Sequence, residues 1–196
     1  VSGQTDKIEN EGTSFGILRR FARDQRGVGA IEFAILFPVL LMLYLGAFEL
    51  TVGLNASKRA SRSAGSIADI ISQRTSITKS DLATMSSVAG AIFAPYSTAG
   101  LTLKITGIAV DANGKATVAW SWAQDGTTPY TSGTPVIVPS NLNQASTFLV
   151  RSELAIPYQL ISFGATFLPN GTNQITISRQ YYYRQRVGNS LTCSDC

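Results

Sequence analysis

The 196-residue sequence predicts an α+β protein: a long N-terminal transmembrane helix that continues into a domain with a small antiparallel sheet of about four strands. Three observations lead there. From Phe33 to Phe48, sixteen successive residues carry no charge. Small and apolar residues then recur at helical spacing as far as Ser72. Beyond Leu101 the apolar period shortens to two.

The uncharged run sets the first element. As helix it spans roughly 24 Å, and extending it to Val28 and Leu54 gives roughly 40 Å against a hydrocarbon core of about 30 Å. Val, Leu, Ile and Phe fill 15 of those 27 positions, each favouring insertion by roughly 0.3–0.6 kcal/mol. Glu32 and Glu49 oppose this by about 2.5–3.5 kcal/mol each at the bilayer centre. They stand roughly 25 Å apart along a helix, so both reach opposite interfaces, where that penalty falls. The core helix of a soluble protein rarely carries so long a run. A secretory signal peptide needs a small-x-small site downstream, and the best one, Leu54-Asn55-Ala56, puts leucine where a small residue belongs. Pro38 cannot donate to the carbonyl of Ala34, which predicts a kink inside the span.

Upstream, residues 1–16 scatter Asp6, Lys7, Glu9 and Glu11 among Gly, Ser and Thr, a composition without a core. Residues 17–26 are short and basic, with Arg19, Arg20, Arg23 and Arg26 just before the span. Four arginines there argue for a cytoplasmic N-terminus. Lys58, Arg59, Arg62 and Arg74 on the far side weaken that bias.

After Leu54 the helix is expected to continue. Ala56, Ala60, Ala64 and Ala68 repeat at i, i+4 beside Ser57, Ser61 and Gly65. Such a stripe lets another backbone approach closely, either the chain's own domain or a second subunit. Ile67, Ile70 and Ile71 add an apolar edge, and the helix fades near 72–75. A second helix is predicted from Ser80 as N-cap, with Asp81 in the first turn, to a stop at Pro95. Leu101–Val110 and Ala116–Trp122 flank the turn Asp111-Ala112-Asn113-Gly114 as a hairpin. Residues 123–139, rich in Gly, Thr, Ser and Pro, read as a surface loop, and 140–145 as a short helical turn. Thr147–Ile156 and Gln174–Tyr183 complete the strands. The organisation is a leader at 1–27, a span at 28–54, a stem and second helix at 55–95, a sheet domain at 96–190 and a cysteine-containing tail at 191–196.

Composition excludes much chemistry. The chain has no histidine, so neither a Ser-His-Asp nor a Cys-His pair nor an imidazole metal ligand exists. No Gly-rich phosphate loop runs into Lys-Ser/Thr. No enzyme, cofactor or metal is therefore expected. The net charge of +4 falls to +3 on loss of residues 1–27, which leaves 11 basic and 8 acidic residues. So mild an excess is no argument for nucleic acid. Tyr181, Tyr182 and Tyr183 interleave with Arg179, Arg184 and Arg186, but alternate strand residues face opposite ways, so they form no stacking platform. Cys193-Ser194-Asp195-Cys196 lacks a second pair or a βαβ context for a zinc or redox role. In an oxidising compartment Cys193 and Cys196 would close a small disulfide loop, the alternative being free or intermolecularly paired thiols.

One stretch carries a family resemblance. Arg26-Gly27-Val28-Gly29-Ala30-Ile31-Glu32-Phe33 is a basic segment, a glycine, four residues, then glutamate and an aromatic residue opening an apolar helix. It resembles the leader of type IV prepilins, and most closely the TadE-like proteins of the tight-adherence (Tad) pilus system. Pro38 and the Gly46-Ala47-Phe48-Glu49 near the helix end resemble that family too. The resemblance is specific over about residues 19–70; farther on only size and strand-rich, pilin-like layout are shared. Val28 departs from type IV pilins proper, which usually begin with phenylalanine.

The resemblance implies a minor pilin or pseudopilin that takes part in Tad pilus biogenesis and surface adhesion. A prepilin peptidase would cut between Gly27 and Val28 from the cytoplasmic face. Glu32, beside Phe33, would meet the new terminal ammonium of a neighbouring subunit. Partners are then that peptidase, other pilin or pseudopilin subunits, Tad assembly proteins and membrane lipid. The location is a bacterial inner membrane, N-terminus cytoplasmic and C-terminal domain periplasmic, or the pilus itself. The alternatives are an unprocessed bitopic component of the same machinery, or an unrelated membrane-tethered periplasmic binding domain. Independent physics agrees with the first: glycine, without a Cβ, lets backbone enter a protease cleft, while ammonium and carboxylate buried in apolar surroundings attract strongly. The competing role for Glu32 is a carboxylate at headgroup level that favours the helix N-terminus.

Overall fold

The computed structural model describes residues 27–160 and 173–196; the basic leader apart from Gly27 lies outside them. In chain order the elements are α1 (Val28–Ser72), β1 (Ser76–Ile77), α2 (Lys79–Phe93), β2 (Thr102–Val110), β3 (Ala116–Ala123), β4 (Thr147–Gln159), β5 (Gln174–Arg184) and β6 (Thr192–Cys193). The architecture is α+β, with an antiparallel sheet ordered β3-β2-β4-β5. All four predicted strands and both helices are present. The chain divides into two units, Val1–Ala47 and Phe48–Cys196.

In the first unit, every residue from 27 to 44 is exposed. The large apolar side chains from Val28 to Tyr44 are each 43–68% exposed. A helix apolar on all sides needs apolar surroundings. α1 is long and apolar enough to cross a membrane, consistent with a membrane anchor. Pro38 lies inside it.

The second unit begins where α1 becomes two-faced. Ala56, Ala60, Ala64 and Ala68 are fully buried, joined by Ile67 and Ile71. They share one core with Leu82, Met85, Ala89 and Phe93 of α2 and with Leu103, Ile105, Trp120, Trp122, Val150 and Ile156 of the sheet. The small stripe is therefore covered by the chain's own domain, one of the two occupants the sequence left open. Ser63 Oγ donates to the Ala89 carbonyl at 3.3 Å where the helices meet. Stem, second helix and sheet thus belong to one unit.

α2 starts earlier than the sequence reading placed it. Thr78, not Ser80, is the N-cap. Its Oγ1 accepts from the Asp81 amide at 3.2 Å, and the Asp81 carboxylate accepts from the Thr78 amide at 3.0 Å. This reciprocal box needs the acid three residues after the cap, a spacing Ser80 does not have. The Thr78 hydroxyl and amide hold the Asp81 carboxyl below the usual carboxylate range.

On the far face of the sheet, a second cluster gathers Ile108, Val110, Ala116, Val138 and Leu149. Residues 124–139 are the irregular, mostly exposed loop expected, but its end packs on this cluster. Thr117 bridges to Pro135, and the Val136 amide donates to the Ala116 carbonyl. Along this extended stretch Val138 turns inward while Ile137 stands 93% exposed. Residues 140–142 form the expected turn, shorter than 140–145, with the Leu142 and Asn143 amides donating to the Pro139 carbonyl.

One glycine is essential to the sheet. Gly107 pairs with Trp120 and Ile108 with Val118, so Ala119 is the extra residue of a β-bulge. The Trp120 ring lies over Gly107, where a Cβ would approach it to 2.5 Å and Phe148 to 2.8 Å. From there the indole Nε1–H donates to the Leu191 carbonyl at 2.8 Å, tying the C-terminal segment to the core. Gly107→Ala should lower stability by about 1–3 kcal/mol by overpacking. Denaturant unfolding of the detergent-solubilised chain measures it, and an unchanged midpoint would show that the indole yields freely.

Candidate functional site

The residues singled out at the N-terminus occupy the first turns of α1. Gly27 immediately precedes the helix, with no atom within 4 Å of the position a Cβ would take. Its backbone is open to approach from that side. Val28 opens the helix, and Glu32 follows four residues later on the same face, roughly 6 Å along the axis. Both are exposed. No acidic residue stands in the first turn itself, so Glu32 is the first carboxylate met on entering α1. Phe33 is 62% exposed and packs on Phe37, the ring centroids 5.4 Å apart. Together they make an apolar aromatic ledge beside the carboxylate.

An exposed glycine before a helix leaves its backbone open to close approach. An ammonium created at Val28 would begin the helix one turn from Glu32. Gly27, Val28 and Glu32 are all exposed.

Residues 27–68 match the family model of TadE-like proteins. The matched stretch starts at Gly27 and takes in Glu32, Phe33, Pro38, Glu49 and the alanine row to Ala68. The family seen as a resemblance in the sequence is thus the one whose model matches, over 42 of the 196 residues. No curated protein and no solved structure matches the chain. The TadE-like segment ends inside α1, so α2, the sheet and the tail lie beyond the match.

The tail carries the other residues singled out. Cys193 and Cys196 are disulfide-bonded, their Cα atoms 5.5 Å apart. β6 pairs in parallel with β1, Ile77 opposite Cys193. The bonded loop brings Asp195 Oδ1 to 2.8 Å from the Lys79 amide in the first turn of α2. A carboxylate there satisfies a free amide and favours the positive end of the helix dipole. Cys193, Asp195 and Cys196 also place their ligand-type atoms within 4.8 Å of one another. With the two sulfurs joined, neither is a thiolate ligand.

The three tyrosines divide as strand geometry requires. Tyr181 lies against α1, its ring 3.7 Å from where a Cβ on Gly65 would be. Tyr183 packs on the helix-side core, while Tyr182 packs on the far-face cluster. Arg186 pairs with Asp69 at 2.9 Å.

One charged cluster was not assembled from the sequence. Arg151, on central β4 and 6% exposed, has Nη2 3.2 Å from Glu153 and its guanidinium 4.4 Å over the Tyr130 ring. The Tyr130 hydroxyl donates to Glu153 at 3.0 Å. Burial first, then the Glu153 hydrogen bond, pushes the Tyr130 phenol up. The available signal was that Arg151 and Glu153, two apart in a strand, share a face; nothing local announces Tyr130. The cluster closes the far face under the 123–139 segment. Glu153→Ala should destabilise the domain by about 3 kcal/mol, since it strands a buried guanidinium. A thermal melt checks this, and an effect no larger than that of a surface substitution would show that Tyr130 and Thr106 suffice.

Proposed function

We propose that this protein is a minor pilin or pseudopilin of a Tad pilus, processed by a prepilin peptidase after Gly27 and taking part in pilus biogenesis and surface adhesion. The observation that carries the reading is the family match opening at Gly27. Next to it stand the open backbone at that glycine and a helix apolar on every side. In this reading residues 28–54 cross the bacterial inner membrane, with the N-terminus cytoplasmic and the domain periplasmic. Glu32 pairs with the Val28 ammonium of a neighbouring subunit as the helices enter the filament. Apolar surroundings make that pair strong and either charge alone costly. Phe33 packs at the same contact. Partners are the peptidase, other pilin-like subunits, Tad assembly proteins and lipid; the oxidising compartment keeps the Cys193–Cys196 bond closed.

The intact mass of the membrane-extracted protein tests processing. A chain beginning at Val28 is expected, and Gly27→Leu should leave the product longer by the leader. Retention of the leader in the unmodified protein would instead assign it to the bitopic assembly components of the same machinery. Glu32→Ala is expected to insert normally and to fail in assembly, scored as pilus yield on cells. Normal yield would sink the pairing role and leave Glu32 at headgroup level.

A further inference from the structure

The exposed row of α1 changes character within a few residues. Leu50 and Leu54 are 64% and 54% exposed, and the next members of the same i, i+4 row are Lys58 and Arg62, both exposed. This row lies opposite the buried alanines at 56, 60 and 64, so the domain does not cover it. Lys58 is roughly 6 Å beyond Leu54 along the helix, and Arg62 roughly 12 Å. Helical side chains lean toward the N-terminus, which aims both cationic heads back toward the apolar stretch.

Neighbouring cations are already engaged. The Arg59 guanidinium donates to the carbonyls of Ile92 and Ala94 and lies 5.7 Å over the Tyr96 ring. Arg179 donates to Ser57 Oγ and to its neighbour's carbonyl, Ser178. Lys58 and Arg62 form no ion pair among the described residues. Two such cations at the extracytoplasmic end of a span run against the usual charge bias.

We infer that Lys58 and Arg62 form a cationic collar that holds anionic phospholipid headgroups where α1 leaves the bilayer. The inference rests on the membrane-spanning reading above. Its occupant is set by position and charge. A headgroup layer extends about 5–8 Å beyond each side of the hydrocarbon core, the depth of Lys58 and within reach of the Arg62 side chain. Lys58 keeps its aliphatic stem along the apolar row while its ammonium meets phosphate, and the Arg62 fork suits phosphate oxygens. The collar fixes how deep the span sits and so the level at which the domain begins.

The full chain, reconstituted in vesicles of roughly three parts phosphatidylcholine to one part phosphatidylglycerol, tests this. Alkaline carbonate extraction reads insertion; native mass spectrometry after mild detergent reads phosphatidylglycerol retained per protein. Lys58→Gln with Arg62→Gln should insert as well as the unmodified chain and lose retention by about fivefold per cation. Lys104→Gln with Lys115→Gln, on the exposed sheet and its turn, should keep it. If the unmodified chain is itself extracted, the membrane reading fails and the collar with it. If both insert and retain the lipid equally, the collar is wrong while the span stands. Equal loss in the Lys104/Lys115 control would reduce the effect to net charge and overturn the collar. Unchanged retention with impaired subunit assembly would assign the pair to an acidic neighbour instead.

Discussion

The close approach of the alanine row on α1 to α2 and the sheet is the constraint on which the second unit depends. Ala56, Ala60, Ala64 and Ala68 have no accessible surface, and the large residues that bury them come from other elements. Size is divided unequally: the helix contributes methyl groups, the sheet Trp120, Trp122, Phe148 and Tyr158. A larger side chain in the row would separate the layers throughout their length, since interiors at crystal-like density have little slack. The same division of labour appears inside the sheet, where Gly107 gives its space to the Trp120 ring. From that ring the Leu191 carbonyl is held, and with it the returning tail.

Much of this was legible because each signal is local and periodic. The uncharged run, the i, i+4 alanines and the alternation in each strand state their elements without reference to anything distant. The sheet order β3-β2-β4-β5 was not stated by any of them, although the hairpin through Asp111–Gly114 fixed one pair. What the sequence hid was long-range or composition-masked. Val136 and Val138 sit in a stretch whose Pro, Gly and Thr content reads as loop, yet their alternation is that of an edge segment. Ser80 looked like a cap because the acid follows it directly; the box spacing from Thr78 was the better guide.

The charged groups of the domain follow a different logic from its apolar ones. Arg151 is buried only because three different partners meet it: a carboxylate two residues away, a hydroxyl across the sheet at Thr106, and the face of Tyr130 from a distant loop. A carboxylate alone would repay little of the desolvation. The ring and the strand neighbours exclude water while leaving the charge matched. Asp195 is a parallel case at the surface. It reaches the α2 amide because the tail is held at Leu191, along β6 and through the Cys193–Cys196 bond.

α1 joins two regimes in one element. Residues 27–44 are all exposed and present a surface that water does not suit, whereas from Ala56 onward one face of the helix is buried in the core. The TadE-like match spans both, from Gly27 to Ala68, and stops before the helix does. What the matched segment therefore encodes is a rod with an open glycine at its start, a lone early carboxylate, an apolar surface and a small-residue seat. Such a rod asks of its cargo only large side chains to lay against that seat. The sheet meets this demand with indole and phenyl rings.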